Sequence, residues 1–329
     1  MKKHANISIF VPHIGCENRC SFCNQNVITG QNAPPDADSV HGAVSQAVSS
    51  KHFDPLNTEI AFFGGSFTAI DKNYMIQLLS AASVYIKNKT VSGIRISTRP
   101  DAIDSDVLSL LSEYGVTSIE LGAQSTDAGV LSANKRGHTF NDVVNACGLI
   151  RRFGFEIGLQ MMTGLWQSDR NKDLKTADDI ISLKPSTVRV YPTIVLKNTL
   201  LERLFVQGKY SPPDLDESVE LCSEILKRFY SSGINVIRMG LHSVEAADYV
   251  AGPWHPAFRE LCESQIFFKA LCSLLKEKGD YRVFVNPKAV SKMIGQSGKN
   301  IDKLKKLGYN CRVCADNGLK QFEIIPQKV

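Results

Sequence analysis

Short β-like apolar runs alternate with longer stretches in which apolar residues return every three or four positions. The runs are Ile7–Val11, Glu59–Phe63, Gly93–Ser97, Ser118–Leu121, Glu156–Met161, Thr187–Tyr191 and Asn235–Arg238. Between them lie Lys72–Lys87, Ser105–Tyr114, Thr139–Phe153, Ala177–Leu183 and Leu215–Ser231, which the spacing predicts as amphipathic helices. Leu108, Leu110, Leu111 and Tyr114 fall on one helical face, as do Val219, Cys222, Ile225, Leu226 and Phe229. Strand followed by helix, repeated six or seven times, predicts an α/β fold: a parallel sheet with right-handed crossovers, rolled into a full or partial (β/α) barrel. In such a barrel the chemistry sits on the loops after the strand C-termini.

The pattern changes near the end. Tyr281–Val285 reads as a strand, Pro287–Ile294 as a short helix opened by proline, and Gly295–Gly298 (GQSG) as a tight loop. Lys299–Lys306 is a second helix, and Tyr309–Cys314 and Gln321–Ile325 are two further strands. A linker at Glu277–Asp280 is expected to divide the chain into a barrel with its extension, residues 1–280, and a small α+β module, residues 281–329.

Charge sharpens that division. The chain's formal charge is +5, yet residues 281–329 hold ten Lys or Arg against three Asp or Glu, so the first 280 residues are slightly acidic. A polyanion partner for the module and a merely solvated lysine face both fit that asymmetry. No apolar run approaches the roughly 18 residues needed to span a bilayer. The first 15 residues are basic and then briefly apolar, but Asn6, Ser8, Pro12 and His13 interrupt them, so a strand fits better than a signal peptide. No membrane partner is expected, and the working compartment is expected to be the cytoplasm.

Nine cysteines in 329 residues are too many to ignore and too unevenly spaced for a disulfide framework. Three of them, Cys16, Cys20 and Cys23, form C-x3-C-x2-C directly after the first predicted strand. Three thiolates on one loop can each bind one iron of a cubane and leave the fourth iron open, and an open metal position marks chemistry. Zinc is the alternative, with a fourth ligand such as His13. Phe22, just before the third cysteine, is placed to shield a cluster from water. After the second strand, Gly64, Gly65 and Ser66 (GGS) offer backbone that a ligand can approach closely.

This chain resembles the radical S-adenosylmethionine superfamily at the cysteine motif. In RISTRPD (Arg95–Asp101), IELGAQS (Ile119–Ser125), NKRGH (Asn134–His138), LQMMTGL (Leu159–Leu165) and AGPWHPAFRELCES (Ala251–Ser264) it is similar to one branch. That branch holds the Elongator catalytic subunit and oxygen-independent coproporphyrinogen oxidase. The resemblance implies a radical SAM barrel, a [4Fe-4S] cluster on Cys16, Cys20 and Cys23, and S-adenosyl-L-methionine on the open iron. One electron from a donor such as flavodoxin or ferredoxin would then cleave the sulfonium and give a 5′-deoxyadenosyl radical. Gly64, Gly65 and Ser66 correspond to the segment receiving the methionine moiety. Gln124 and Arg136 match residues that contact the cofactor, and Gln160 stands where relatives have Asp or His. Trp166 departs from the family pattern too, and the acetyltransferase domain of the Elongator subunit has no counterpart in this sequence. Tyr191, His242, His255, Arg259 and Glu263 are candidates for substrate contact because they lie near late strand ends or in the extension.

In the tail, IGQSGKNI (Ile294–Ile301) resembles the I-G-x-x-G-x-x-I core of KH nucleic-acid-binding domains. That resemblance implies that Gly295, Gln296, Ser297, Gly298 and Lys299 grip single-stranded nucleic acid, with nearby lysines adding a salt-sensitive attraction. Glycine used for close helix packing is the competing explanation. Cys311 and Cys314 form a second C-x-x-C that reads as strand cysteines, a redox pair or a half-site completed elsewhere. The expectation is therefore a radical enzyme, transferase or oxidoreductase, that modifies RNA (tRNA or rRNA). A tetrapyrrole-modifying or peptide-modifying enzyme and a non-enzymatic iron–sulfur RNA-binding regulator are the rivals.

Overall fold

The computed structural model describes residues 4–11, 16, 20–24, 33–241 and 245–329. His13 and His242, both singled out above, lie outside them. The main unit opens, in chain order, with β1 (Ala5–Val11), α1 (Ala37–Val48), β2 (Thr58–Gly64), α2 (Lys72–Lys87), β3 (Gly93–Thr98), α3 (Ser105–Glu113), β4 (Val116–Gln124) and α4 (Ala128–Ala133). Then come α5 (Phe140–Arg152), β5 (Glu156–Thr163), α6 (Arg170–Ser182), β6 (Thr187–Pro192), β7 (Val195–Leu196), α7 (Leu200–Val206), α8 (Leu215–Ser231), β8 (Asn235–Met239) and β9 (Tyr249–Ala251). All seven predicted barrel strands are present.

Each helix from α1 to α8 starts on an Asp or Thr whose side chain accepts the N–H three residues on. The eight caps are Asp36, Asp71, Asp104, Asp127, Thr139, Asp169, Thr199 and Asp214. Each such cap contributes about 1 kcal/mol by satisfying a donor that the helix itself cannot. The Asp169 cap starts α6 seven residues before the predicted Ala177.

The seven strands form one parallel sheet in the order β1-β2-β3-β4-β5-β6-β8, with β1 and β8 as its edges, so the barrel is partial. Ile7, Ile9, Ile60, Phe62, Ile94, Ile96, Ile119, Leu121, Leu159, Val188 and Val190 face the helices and carry the main core. The opposite, concave face is polar. Its register aligns Ala61 with Arg95, Arg95 with Ser118, and Ser118 with Glu156. Arg95, 3% exposed, donates to Glu59 (2.8 Å), Glu120 (3.4 Å) and Glu156 (3.1 Å). Arg189 donates to Glu120 through Nε (2.8 Å) and Nη2 (3.0 Å), and its guanidinium lies 4.9 Å over the Phe63 ring. In a flat sheet β2 and β6 would stand roughly 19 Å apart at normal strand spacing. An arginine on β6 reaches Phe63 of β2 because the sheet curls.

A second core lies under the tail. The helix α9 (Phe258–Leu274) is followed by β10 (Gly279–Val285), α10 (Val290–Ile294), α11 (Lys299–Lys306), β11 (Tyr309–Ala315) and β12 (Ile324–Lys328). The strands form a three-stranded sheet, β11-β10-β12, with β11 parallel and β12 antiparallel to β10. Phe258, Cys262 and Ile266 of α9 pack into the main core, whereas Phe267 and Leu271 join Tyr281, Val283, Val285, Met293 and Leu304 in the second. The expected linker at Glu277–Asp280 is a short connection, and the module's core includes half of a helix that precedes it.

Two predictions follow from the concave network. Arg95→Met leaves three carboxylates without their shared cation and is expected to cost about 3–5 kcal/mol in urea unfolding at pH 7. Burial alone would raise the Glu59 carboxyl, but His4, Arg95 and Thr117 outweigh it and hold its pKa at about 2, against 4.5 ordinarily. A carboxyl lowered by folding stabilises above its ordinary pKa, and that stability is lost as pH falls toward the folded value. Wild type should therefore lose up to about 3 kcal/mol more than Glu59→Gln as pH falls from 4.5 toward 2, read from urea midpoints.

Candidate active site at the strand C-termini

The described cysteines of the N-terminal motif sit at the rim where β1, β2 and β4 end. Cys16 Sγ is 3.7 Å from the buried Ser66 hydroxyl, which stands just after β2. Arg136, beyond α4, donates from Nη1 to Cys20 Sγ at 3.1 Å and from Nη2 to the Gly122 carbonyl at 2.6 Å. A turn bond from the Cys23 N–H to the Cys20 carbonyl (3.2 Å) carries the loop to the third cysteine. Three loops far apart in sequence thus bring Cys16, Ser66, Cys20 and Arg136 to one mouth.

Ser21 anchors this loop. Its N–H bonds the Asn134 carbonyl at 3.2 Å, its hydroxyl bonds Asn134 Oδ1 at 2.5 Å, and its carbonyl accepts from Leu201 N at 2.8 Å. Asn134, fully buried, donates in turn to the carbonyls of Val130 and Trp166, both at 2.8 Å. The Trp166 departure is therefore absorbed: its backbone serves Asn134, and its ring packs with Phe22 beside Leu201, Leu204 and Tyr210. Phe22 also touches the cluster of Val130, Met162 and Leu165, so it seals the loop against the barrel rim.

Gln124, Arg136 and Gln160 come together at the end of β4. A bulge in β4 pairs Gly122 with Gln160 and Gln124 with Met161, passing over Ala123. Gln124 adopts φ +63°, uncommon for a residue with a side chain, and lies 5% exposed. Its Oε1 accepts from Gln160 Nε2 at 3.1 Å. A Cβ on Gly122 would come within 2.9 Å of Gln124 Nε2 and 3.4 Å of Arg136 Nη2, so glycine there lets both side chains cross the strand. Arg136 Nε is buried with no hydrogen-bond partner among the described residues. A buried, unmatched guanidinium N–H beside thiols calls for an acceptor, and a carboxylate or a cluster sulfur would supply one.

At Gly64, with φ +111°, an added Cβ would lie 2.8 Å from the Val11 carbonyl oxygen, so glycine there admits the neighbouring strand. The N–H of Gly65 bonds that same oxygen at 2.8 Å, which places Ser66 at the mouth. Among the described residues no three His, Cys, Asp or Glu side chains are gathered to hold a single metal ion. A cubane makes a different demand, one thiolate to each of three irons. The donor set, the adjacent cation and the unmatched Arg136 N–H fit such a cluster with an anionic cofactor.

Of the substrate-contact candidates, Tyr191 faces the lumen beside Met162 in register. Arg259 and Glu263 bind each other at 3.0 Å; Arg259 also bonds the Val236 carbonyl, and Glu263 pairs with Lys292 at 2.5 Å. They join the two units. His255 accepts from Ala257 N at the start of α9. Sequence reasoning did not single out His138 or Asp173. His138 bonds the Ala123 carbonyl at 3.1 Å, and burial with nearby Arg136 pushes its pKa down to about 4, so it is neutral at pH 7. Asp173 accepts from Gly164 N (2.8 Å) and Ser168 (2.6 Å), and burial raises its carboxyl to about 6. It ties down the loop after β5.

A curled parallel half-barrel with a three-cysteine loop beyond its first strand defines a class of cluster-bearing enzymes. Comparison with known families agrees: the Radical SAM superfamily model matches residues 10–177, and the Radical_SAM C-terminal domain model matches residues 185–267. The chain belongs to the radical SAM superfamily, whose cofactors are a [4Fe-4S] cluster and S-adenosylmethionine. It is 24% identical over 239 residues to a tRNA uridine(34) acetyltransferase of Dehalococcoides mccartyi, covering 63% of this chain and 52% of the relative. Elongator complex protein 3 of Homo sapiens is 29% identical over 188 residues, covering 51% of this chain and 34% of that protein. The solved structure of the archaeal Elp3 of Methanocaldococcus infernus superposes with a TM-score of 0.66 at 20% identity, covering 82% of this chain and 64% of that one. The chain thus spans about half, or less, of the length of these curated relatives. No helix among the described residues is long and apolar enough to cross a membrane.

The anchor makes a prediction. Asn134→Ala strands the Ser21 hydroxyl and the Trp166 carbonyl, while the Val130 carbonyl keeps the backbone N–H of residue 134, and should cost about 1–3 kcal/mol in unfolding free energy. The cysteine loop should loosen with it, so iodoacetamide is expected to alkylate Cys20 faster in cluster-free Asn134→Ala than in wild type.

Proposed function

We propose that this chain is a radical S-adenosylmethionine enzyme that modifies a structured RNA, with tRNA as the favoured class. Under this reading Cys16, Cys20 and Cys23 hold the cluster, and Gly64, Gly65, Ser66, Gln124, Arg136 and Gln160 surround the cofactor. When bound, the pair supplies one-electron cleavage of a sulfonium and a carbon radical able to take hydrogen from an unactivated position. The protein's own residues then bind and orient. Arg136 neutralises the cofactor carboxylate while its Nη1 faces Cys20. Gln124 and Gln160, already paired, present amide groups to hydroxyls. Neutral His138 supports the strand end beneath them without adding charge. An electron donor such as flavodoxin or ferredoxin would complete the reaction, in a reducing cytoplasm.

The observation that carries the enzyme reading is the meeting of Cys20, Arg136, Gly122, Gln124 and Gln160 at one strand end. RNA is favoured by the tail. Gln296, Ser297 and Lys299 are exposed on the loop between α10 and α11. Ser297 takes φ +52°, and Gly298, at φ +81°, has nothing within 4 Å of an added Cβ. Gly295 is packed instead: its Cβ would lie 2.9 Å from Asn300 N and 3.2 Å from Ser264 Oγ. Half the loop is thus fixed to α9 and half is open to a ligand. The relative named as a tRNA uridine(34) acetyltransferase supports the same class of substrate.

Because residues 281–329 share their core with α9, the test uses point changes in the full chain. Gln296→Asp combined with Ser297→Asp should weaken binding of bulk tRNA about tenfold or more at moderate salt, by repelling phosphate. S-adenosylmethionine cleavage by dithionite-reduced protein should persist, because the loop lies outside the strand-end site. Unchanged tRNA affinity would remove RNA from the assignment, and failure of wild type to cleave S-adenosylmethionine would remove the enzyme reading.

A further inference from the structure

The three-stranded sheet of the tail has its helices on one face. Tyr281, Val283 and Val285 of β10 enter the core shared with α9, α10 and α11, and strand alternation sends Asp280, Arg282 and Phe284 to the opposite face. Register supplies their neighbours. Arg282 is aligned with Arg312 of β11 and Gln327 of β12, and Phe284 with Cys314 and Ile325. The outer face therefore carries two rows across the sheet: Arg312, Arg282 and Gln327, then Cys314, Phe284 and Ile325. Along the strands the rows lie roughly 7 Å apart.

A sheet face left to water is ordinarily polar at its outward positions. Here the central outward residue is a phenylalanine. Phe284 is half-buried, belongs to none of the apolar cores, and has Ile325 beside it, 48% exposed. Arg282 and Arg312 are exposed, and their side chains make no hydrogen bond or ion pair among the described residues. The carboxylate on these outward positions, Asp280, accepts from Asn310 at 2.8 Å. A second copy of the chain laid face to face on these strands would set arginines against arginines, whereas a polyanion meets both with opposite charge. The face also has a continuation. A cleft of about 450 Å³ is lined by Ile301 and Lys305 of α11, by Tyr309, and by Arg282 and Arg312, so it passes around the free edge of β11.

We infer that the outer face of this sheet binds unpaired nucleotides of RNA, with a base stacked on the Phe284 ring and phosphates met by Arg282 and Arg312. Aromatic side chains on an open sheet take splayed bases by stacking, with little regard to sequence, and guanidiniums bind phosphate in bidentate fashion. The spacing of the two rows is on the scale of one nucleotide, base to phosphate. Ile325 and Cys314 extend the apolar strip to either side of the ring. The loop at Gln296 and Ser297 belongs to the helical side, so a strand held at both places would run along α11 and through the cleft at the β11 edge. That this strand belongs to the RNA being modified rests on the function proposed above; the affinity of the face for unpaired nucleotides does not.

The experiment uses the full chain, reconstituted anaerobically, and reads the fluorescence anisotropy of a labelled single-stranded oligouridylate and of a duplex RNA of equal length. Phe284→Ala should weaken oligouridylate binding about tenfold without changing its salt dependence. Phe284→Tyr should keep most of the affinity, which separates a lost ring from a lost fold. Arg282→Gln combined with Arg312→Gln should make the slope of log affinity against log salt shallower by about 1.4, the value for two phosphate contacts on a single strand. Wild-type affinity and slope in both the alanine and the double-glutamine proteins overturn the proposal. Duplex RNA as sensitive to Phe284→Ala as oligouridylate overturns the stacking of an unpaired base. A dimer in sedimentation that Phe284→Ala abolishes gives the face to a second copy and overturns it as well. The two proposals fail separately. If the Gln296→Asp, Ser297→Asp protein binds tRNA like wild type while oligouridylate binding still depends on Phe284, the tRNA assignment falls and the face stands. If tRNA binding depends on the loop while oligouridylate ignores Phe284 and both arginines, the face falls alone.

Discussion

The curl of the sheet depends on a few arginines that bond across its concave face. Arg95 joins carboxylates from β2, β4 and β5, and Arg189 spans from β6 to Glu120 on β4 and the Phe63 ring on β2. Charges buried in this way are costly unless their partners are close and geometrically matched, and a flat sheet would hold those partners out of reach. The apolar convex face could pack against its helices at several curvatures. The ion network selects the curvature at which each carboxylate meets a guanidinium, and that curvature brings the strand C-termini around one mouth.

Three register shifts modify the ladder, passing over Thr117 and Ala123 of β4 and over Ile237 of β8. In β4 the ladder passes over Ala123 and gives Gln124 a left-handed backbone; in β8 it passes over Ile237 and delivers Arg238 to the lumen. A regular strand alternates strictly, so a residue can be added to the lumen at a given height only by breaking the alternation. The convex face stays intact at Ala123 and Ile237. Val236 and Met239 remain buried against the helices on either side of the β8 bulge, and Leu121 remains in the core beside the β4 bulge.

Much of this was legible in the pattern of the chain, for identifiable reasons. All seven barrel strands could be placed because their helix-facing residues are almost wholly aliphatic. The helix α6 was read short because Leu174 and Ala177 alone do not mark its polar first turn, whereas the Asp169 cap does. The close approach of β1 to Gly64 was not legible, since sequence cannot tell an approaching strand from an approaching cofactor. The last strand was expected at Gln321–Ile325 and runs Ile324–Lys328, because Phe322 leaves the extended backbone at φ +64° and packs its half-buried ring against Phe267 and Tyr230. The lumen network had a signal that went unused. Glu59 and Phe63, Ser118 and Glu120, Glu156 and Gln160, and Thr187, Arg189 and Tyr191 recur at even spacing within apolar strands. A parallel strand covered on both faces would be apolar throughout, so that alternation marks a solvated concave face.

The position of the tail relative to the lumen follows from one helix. The first half of α9 packs in the barrel core and the second half completes the core of the module, so the two cannot turn independently without opening apolar surface. Polar contacts run along the same helix. Arg259 holds the Val236 carbonyl of β8 and the Glu263 carboxylate, Glu263 holds Lys292 of α10, and Ser264 meets Asn300 and packs under Gly295. Lys292, counted from sequence among the cations available to a polyanion, is instead spent on this joint. The strand that carries Arg238 and the loop that carries Gln296 and Ser297 are therefore braced against the same two turns of α9. A nucleic acid gripped at the loop would meet the lumen at a set distance, and the module would act as a ruler fixed to the barrel rather than as a tethered hand.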